Sequence, residues 1–156
     1  MKSLAVKVGV ILIGLAIFGS AKVWGADWKL IAEPTIDIGP FYYDASSINR
    51  PSKDIVRVWE KQVHSAKSVS EYAEKLGKSF GMLSYTATYI EFNCKEKTSD
   101  ILSIINFSKD GSILLSTQPH AEWTFINPES VFEILFEIVC KQMGRDVNPI
   151  NPNQIR

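Results

Sequence analysis

Apolar and polar residues alternate with a period of two along most of the chain, and a helical stripe emerges only near its end. Trp28-Lys29-Leu30-Ile31-Ala32 reads as a short strand stopped by Pro34. Phe41-Tyr42-Tyr43-Asp44 follows Gly39-Pro40 and leads into Ala45-Ser46-Ser47-Ile48, where the serines suit a turn. Ile55 to Val63 is rich in β-branched residues, is preceded by Pro51, and predicts a strand. From Leu83 to Cys94, Ile90, Phe92 and Cys94 share one face, while Glu91 and Asn93 take the other. Upstream, Ser84, Thr86 and Thr88 alternate with Tyr85, Ala87 and Tyr89. Ile101–Phe107 and Ile113–Ser116 flank Asp110-Gly111, a hairpin signal that predicts antiparallel pairing of the two.

Two segments break the alternation. Ser68-Val69-Ser70-Glu71 fits a capping box, and Tyr72 with Leu76 gives one helical spacing, so residues 65–82 predict a short helix or a loose flap. The second is the clearest helix of the chain. Asn127 and Pro128 are read as its cap and first position, and Gly144 as its stop. Glu129, Glu133, Glu137 and Lys141 form one narrow wet stripe on an otherwise apolar surface. Such a helix must lie on a sheet with most of its circumference covered. Beyond it, two Asn-Pro steps and no apolar period predict a disordered tail at 145–156.

The N-terminus adds a compartment. Lys2 and Lys7, the apolar run Val8–Phe18, and small residues at Gly19, Ser20, Ala21, Gly25 and Ala26 have the order of a secretory signal over residues 1–26. The apolar run is shorter than the ~20 residues that span a bilayer, so no stable membrane span is expected after cleavage. The exported domain is read as residues 27–144. Loss of Lys2, Lys7 and Lys22 leaves 14 basic residues against 17 acidic ones, a net charge of −3. That balance argues against nucleic acid as a partner.

Cys94 and Cys140 are the only cysteines. In an exported chain they predict one disulfide tying a strand end to the last helix; the alternative is a pair of buried free thiols. Their spacing does not fit a redox Cys-x-x-Cys motif, and no motif gathers them with His64 and His120 into a zinc site. No cofactor is expected. There is no phosphate loop, dinucleotide glycine pattern, His-Glu-x-x-His or Gly-x-Ser-x-Gly. His64, His120 and Glu91 are single residues without an identifiable catalytic partner. Among the aromatics, Trp59 and Trp123 are assigned to the core because apolar neighbours flank them. Tyr85 and Tyr89 alternate with threonines, a pattern that suits a strand exposed on one side, and are the candidate partner-binding residues.

Several ordered pieces carry a family resemblance. They are Trp28; Phe41-Tyr42-Tyr43-Asp44 with Ser46-Ser47-Ile48; and Val56-Arg57-Val58-Trp59-Glu60-Lys61. Tyr89-Ile90-Glu91-Phe92-Asn93-Cys94-Lys95, Trp123, Ile126-Asn127-Pro128-Glu129-Ser130 and Val139-Cys140 follow. Together they make the chain resemble the surface-adhesin protein E family, small exported domains of Gram-negative bacteria. The resemblance implies an antiparallel sheet backed by a C-terminal helix with the two cysteines bridged. It also implies adhesion to host extracellular proteins, for the namesake, and leaves a homodimer open.

The expectation is therefore an α+β fold, an antiparallel sheet of five to six strands packed on a C-terminal helix with one disulfide. The expected function is non-catalytic binding of a protein partner in the periplasm or at the cell surface, through a sheet face or strand edge. A self-associating periplasmic structural protein is the alternative, and an enzyme using His64 or His120 a distant third.

Overall fold

The computed structural model describes residues 25–35 and 37–141. The expected signal, apart from Gly25 and Ala26, lies outside the described residues, as do Gly144 and the tail at 145–156. The strands are β1 (Trp28–Ala32), β2 (Phe41–Asp44), β3 (Asn49–Ser52), β4 (Ile55–Val63), β5 (Leu83–Asn93), β6 (Thr98–Ser108), β7 (Ile113–Thr117) and β8 (Thr124–Phe125). Helix α1 (Ala66–Leu76) follows β4, and α2 (Val131–Lys141) follows β8. The sheet runs β1-β2-β4-β5-β6-β7, with β3 beside β4 and β8 beside β6, and every pairing is antiparallel.

The eight strands among the described residues exceed the expected five to six. Both additions fill edges left open by unequal strand lengths. β2 pairs only with Glu60, Lys61 and Gln62 of β4, so β3 takes the remaining edge at Ile55 and Arg57. β7 covers Ile104–Phe107 of β6, and β8 takes Thr98 and Ser99. Neither addition has an apolar alternation to betray it.

The core lies on one face. Val56 and Val58 of β4 sit opposite Phe92 and Ile90 of β5. These four are fully buried, beneath Leu135, Phe136 and Val139 of α2. Phe92 meets Phe132 and Phe136 edge to face, with ring centroids 6.5 and 5.9 Å apart. Each such large side chain contributes about 1.5–3 kcal/mol by leaving water. Cys94 and Cys140 are joined, so the end of β5 is covalently tied to the last turn of α2.

Two helix boundaries differ from expectation. α2 starts at Val131, not at Pro128, because Glu129 adopts a left-handed φ of 61° that no helix accommodates. Ser130 takes over the cap: its Oγ accepts from Glu133 N at 3.2 Å, and Glu133 Oε2 reaches back to accept from Glu129 N at 2.7 Å. Coverage of α2 is also incomplete, since Ile134 stays exposed. α1 starts at Ala66, with Ser65 rather than Ser68 as its cap; Ser65 Oγ accepts from Ser68 N at 3.2 Å. It ends at Gly77, whose φ of 111° is open to glycine but strained for other residues. A 3-10 turn over Lys78–Met82 then buries Phe80 and returns the chain to β5. Among the described residues, no helix is long and apolar enough to cross a membrane.

Candidate functional site

The sheet face away from α2 is aromatic. Strand alternation sends Trp59 and Lys61 of β4 to the side opposite Val56 and Val58. The antiparallel register then aligns Trp59 with Tyr89, Lys61 with Ala87, and Lys61 with Tyr42 on its other side. It continues through Ala87 to Ile105, and through Tyr85 to Phe107. Trp28 of β1 stands opposite Asp44 of β2.

Two cross-strand stacks result. Trp59 and Tyr89 lie with centroids 4.8 Å apart and planes 22° from parallel; Tyr85 and Phe107 are 4.6 Å apart at 17°. Tyr85 and Tyr89 flank Ala87 on the same strand, so the stacks form two walls with the smallest side chain of the row between them. The resulting hollow has a volume of about 260 Å³ and is lined by Trp28, Asp44, Trp59, Tyr85, Ala87, Ile105 and Phe107.

Lys61 lies beside the hollow. Its Nζ lies 4.1 Å from the centroid of Trp28, 5.2 Å from Tyr42 and 5.8 Å from Tyr85, within reach of cation–π attraction. Partial burial lowers the pKa of this ammonium, and the negative charge of Asp44 opposes the effect. Asp44 is itself engaged: its Oδ1 accepts from Asp27 N at 2.8 Å, Ser46 N at 2.9 Å and Ser46 Oγ at 2.6 Å. Further along the same face, Arg57 Nε donates to Glu91 Oε1 at 2.5 Å across β4 and β5. Glu91 is thus half of an ion pair, and its hydrogen bond raises the pKa of Arg57.

Tyr85 and Tyr89 both stand on this face and remain partly exposed; Tyr85 lines the hollow and Tyr89 backs Trp59. Trp59 was expected in the core and is not there. It is one position out of phase with Val56 and Val58, so it shares the outer face with the tyrosines. Trp123 was also expected in the core; it lies just before β8 and is 44% exposed. Sequence reasoning did not single out Trp28, Lys61, Ala87 or Phe107 for the site, because only the register between five strands brings them together.

A polar row lies beyond the core on the α2 side of the sheet. Thr86 and Thr88 share the face of Ile90 and Phe92, and with Glu60 and Asn106 they are buried. Thr86 Oγ1 donates to Asn106 Oδ1 at 2.8 Å, so His64 Nε2, 2.7 Å away, must donate to that same Oγ1. His64 is then the neutral Nε2–H tautomer, and its buried Nδ1 has no partner among the described residues. Burial lowers its pKa. Glu60 Oε1 is likewise unpartnered. Burial raises the Glu60 carboxyl from 4.5 to about 7, and a hydrogen bond from Thr88 works in the opposite direction. His120 lies exposed between β7 and β8, on a different segment from His64. Two further hollows of about 310 and 330 Å³ adjoin α1, the first against Glu71, Tyr72, Lys75 and Leu76, the second reaching Val63, His64 and Leu83. Their walls lack the paired aromatic rings of the outer face. Among the described residues no group of acids, histidines and cysteines is placed to hold a metal ion.

Two solved structures of Haemophilus influenzae protein E are similar. The one in crystal form II is 15% identical, covers 67% of this chain and 82% of its own, and has a TM-score of 0.48. The other is 14% identical, covers 67% and 80%, and has a TM-score of 0.46. No curated protein matches the chain significantly. The family profile described as surface-adhesin protein E matches residues 28–141, from the first residue of β1 to the last of α2, and the chain belongs to that family.

Proposed function

We propose that this protein is an exported, non-catalytic binding protein of the bacterial cell envelope that recognises a protein partner through the sheet face away from α2. The observation that carries this reading is the aromatic face itself. Trp28, Trp59, Tyr85 and Phe107 line one hollow, with Tyr89 stacked on Trp59 beside it, on the side of the sheet that no described helix covers. Rings of this kind supply large contact area with few rotatable bonds, and they dominate protein-recognition surfaces. The face presents rings and one caged ammonium in place of a nucleophile–base pair. Family membership agrees with adhesion as the role.

The test is adhesion of cells carrying the chain to a panel of immobilised extracellular-matrix proteins. The Tyr85→Ala/Tyr89→Ala double variant should lose at least about tenfold in adhesion, as expected when two anchors are removed. Unchanged adhesion by a folded double variant refutes the sheet-face reading. Protease shaving of intact cells checks the location, because a surface protein is digested and a periplasmic one is protected.

A second reading has its own observation. The β7–β8 edge exposes Ile113 (58%), Leu115, Trp123 and Phe125 (82%), an apolar border suited to a second copy of the chain. Light scattering on the exported chain tests it, and a monomer at micromolar concentration refutes self-association.

A further inference from the structure

We propose that the hollow over Ala87 takes one bulky apolar side chain of the partner and that Lys61 at its rim pairs with a carboxylate next to that side chain. This inference rests on the sheet-face reading and names the chemistry of the epitope. The walls are Trp59, backed by its stack on Tyr89, and the Tyr85–Phe107 stack, and the floor is Ala87 with Ile105. Of the lining side chains only Asp44 is charged, and its Oδ1 already accepts three hydrogen bonds. A sugar, which is recognised through several polar partners, would find few in this mainly apolar lining. An aliphatic or aromatic side chain needs only contact area, and a volume of about 260 Å³ accommodates one.

Charge selects the neighbour of that side chain. Lys61 stands directly across from Ala87, and its ammonium lies against Trp28 and Tyr85, two of the rings that line the hollow. Among the described residues no carboxylate comes within salt-bridge distance of it, whereas Arg57 on the same face is already matched to Glu91. The ammonium has lost part of its water and gained the faces of Trp28, Tyr42 and Tyr85, with the Asp44 charge acting on it without a direct ion pair. An incoming carboxylate supplies what it lacks. An incoming cation meets rings that Lys61 already occupies, together with repulsion from Lys61 itself.

The probes are two blocked tetrapeptides, acetyl-Gly-Phe-Asp-Gly-amide and its Asn counterpart, titrated into the exported chain and followed by amide chemical shifts and tryptophan fluorescence. The Asp peptide should bind about three- to ten-fold tighter than the isosteric Asn peptide at low salt. That advantage should shrink in about 0.5 M NaCl, where the screening length is only a few ångströms. Lys61→Met keeps the stem over Trp28 and should make the two peptides equal. Ala87→Leu should weaken both by filling the floor, and Phe107→Ala should weaken both by removing a wall. Equal binding of the two peptides to the wild type, or a preference for Asp that survives Lys61→Met, overturns the inference. So does binding undiminished in both Ala87→Leu and Phe107→Ala, and so does failure of both peptides to bind. Shifts at Tyr85 and Tyr89 without a preference for Asp overturn the acidic pairing alone and leave sheet-face recognition standing. Loss of adhesion sensitivity to those tyrosines is the separate failure of that broader reading.

Discussion

Replacing Glu60 with glutamine should stabilise the protein at neutral pH and leave it unchanged in acid. Glu60 is 3% exposed in the sheet, and its Oε1 has no partner among the described residues. Burial raises its carboxyl from 4.5 to about 7, against a smaller opposing pull from the Thr88 hydroxyl. The folded state therefore holds this proton more tightly than the unfolded chain. Its contribution to stability is complete below about pH 4.5 and is lost as pH rises to about 7. The gap between the two values corresponds to about 3 kcal/mol. Glutamine keeps the shape, retains a hydrogen bond with Thr88 and never ionises. The assay is urea unfolding followed by tryptophan fluorescence, from pH 4 to pH 8. The variant's advantage should be near zero at the acid end and reach about 2–3 kcal/mol above pH 7, the lower figure allowing for an imperfect amide contact. His64 contributes the opposite slope, because its lowered pKa costs stability as pH falls below 6.5. It is present in both proteins, so the difference between them isolates Glu60. A difference that is flat across the pH range refutes the account of Glu60 as a buried, reluctantly ionised acid.

Reduction and alkylation of Cys94–Cys140 should lower stability by about 4 kcal/mol, because the bond closes a loop with a sequence separation of 46; an unchanged urea midpoint would count against this. Gly39→Ala should cost about 1–3 kcal/mol, since a Cβ there would lie 1.9 Å from the Val63 carbonyl oxygen, a backbone atom that cannot rotate away. Thermal unfolding measures that loss, and a wild-type melting temperature would show that the Gly39–Val63 approach is looser than described.

Much of the fold was written in local alternation. The limits of β4 and the start of β5 follow from β-branched and apolar runs, and Cys94 falls on the same phase as Ile90 and Phe92, which is why it can meet α2. Phase also contained the answer for Trp59, whose apolar neighbours argued for the core while its odd position sent it outward. Neighbour identity misled there because a strand's neighbours lie on opposite faces. The cap of α2 was legible too: Ser130-Val131-Phe132-Glu133 is itself a capping box, eclipsed by the Asn127-Pro128 pair just upstream. β3 and β8 were not legible, because they exist to complete edges whose lengths emerge only when the strands are paired. The cage around Lys61 was out of reach for the same reason. Trp28, Tyr42 and Tyr85 lie far apart in the chain, and only the register of β1, β2, β4 and β5 places them around one nitrogen.

The bridge between β5 and α2 also bears on how the molecule survives damage. Everything from Lys95 to Val139 is enclosed in a covalent ring, including the exposed segment at 118–123 between β7 and β8. A single protease cut in that ring opens the chain without releasing either piece. The amino-terminal fragment keeps β1 to β5, the carboxy-terminal fragment keeps α2, and the two stay attached where α2 covers Ile90 and Phe92. That arrangement tolerates a nick in the exposed segment between β7 and β8.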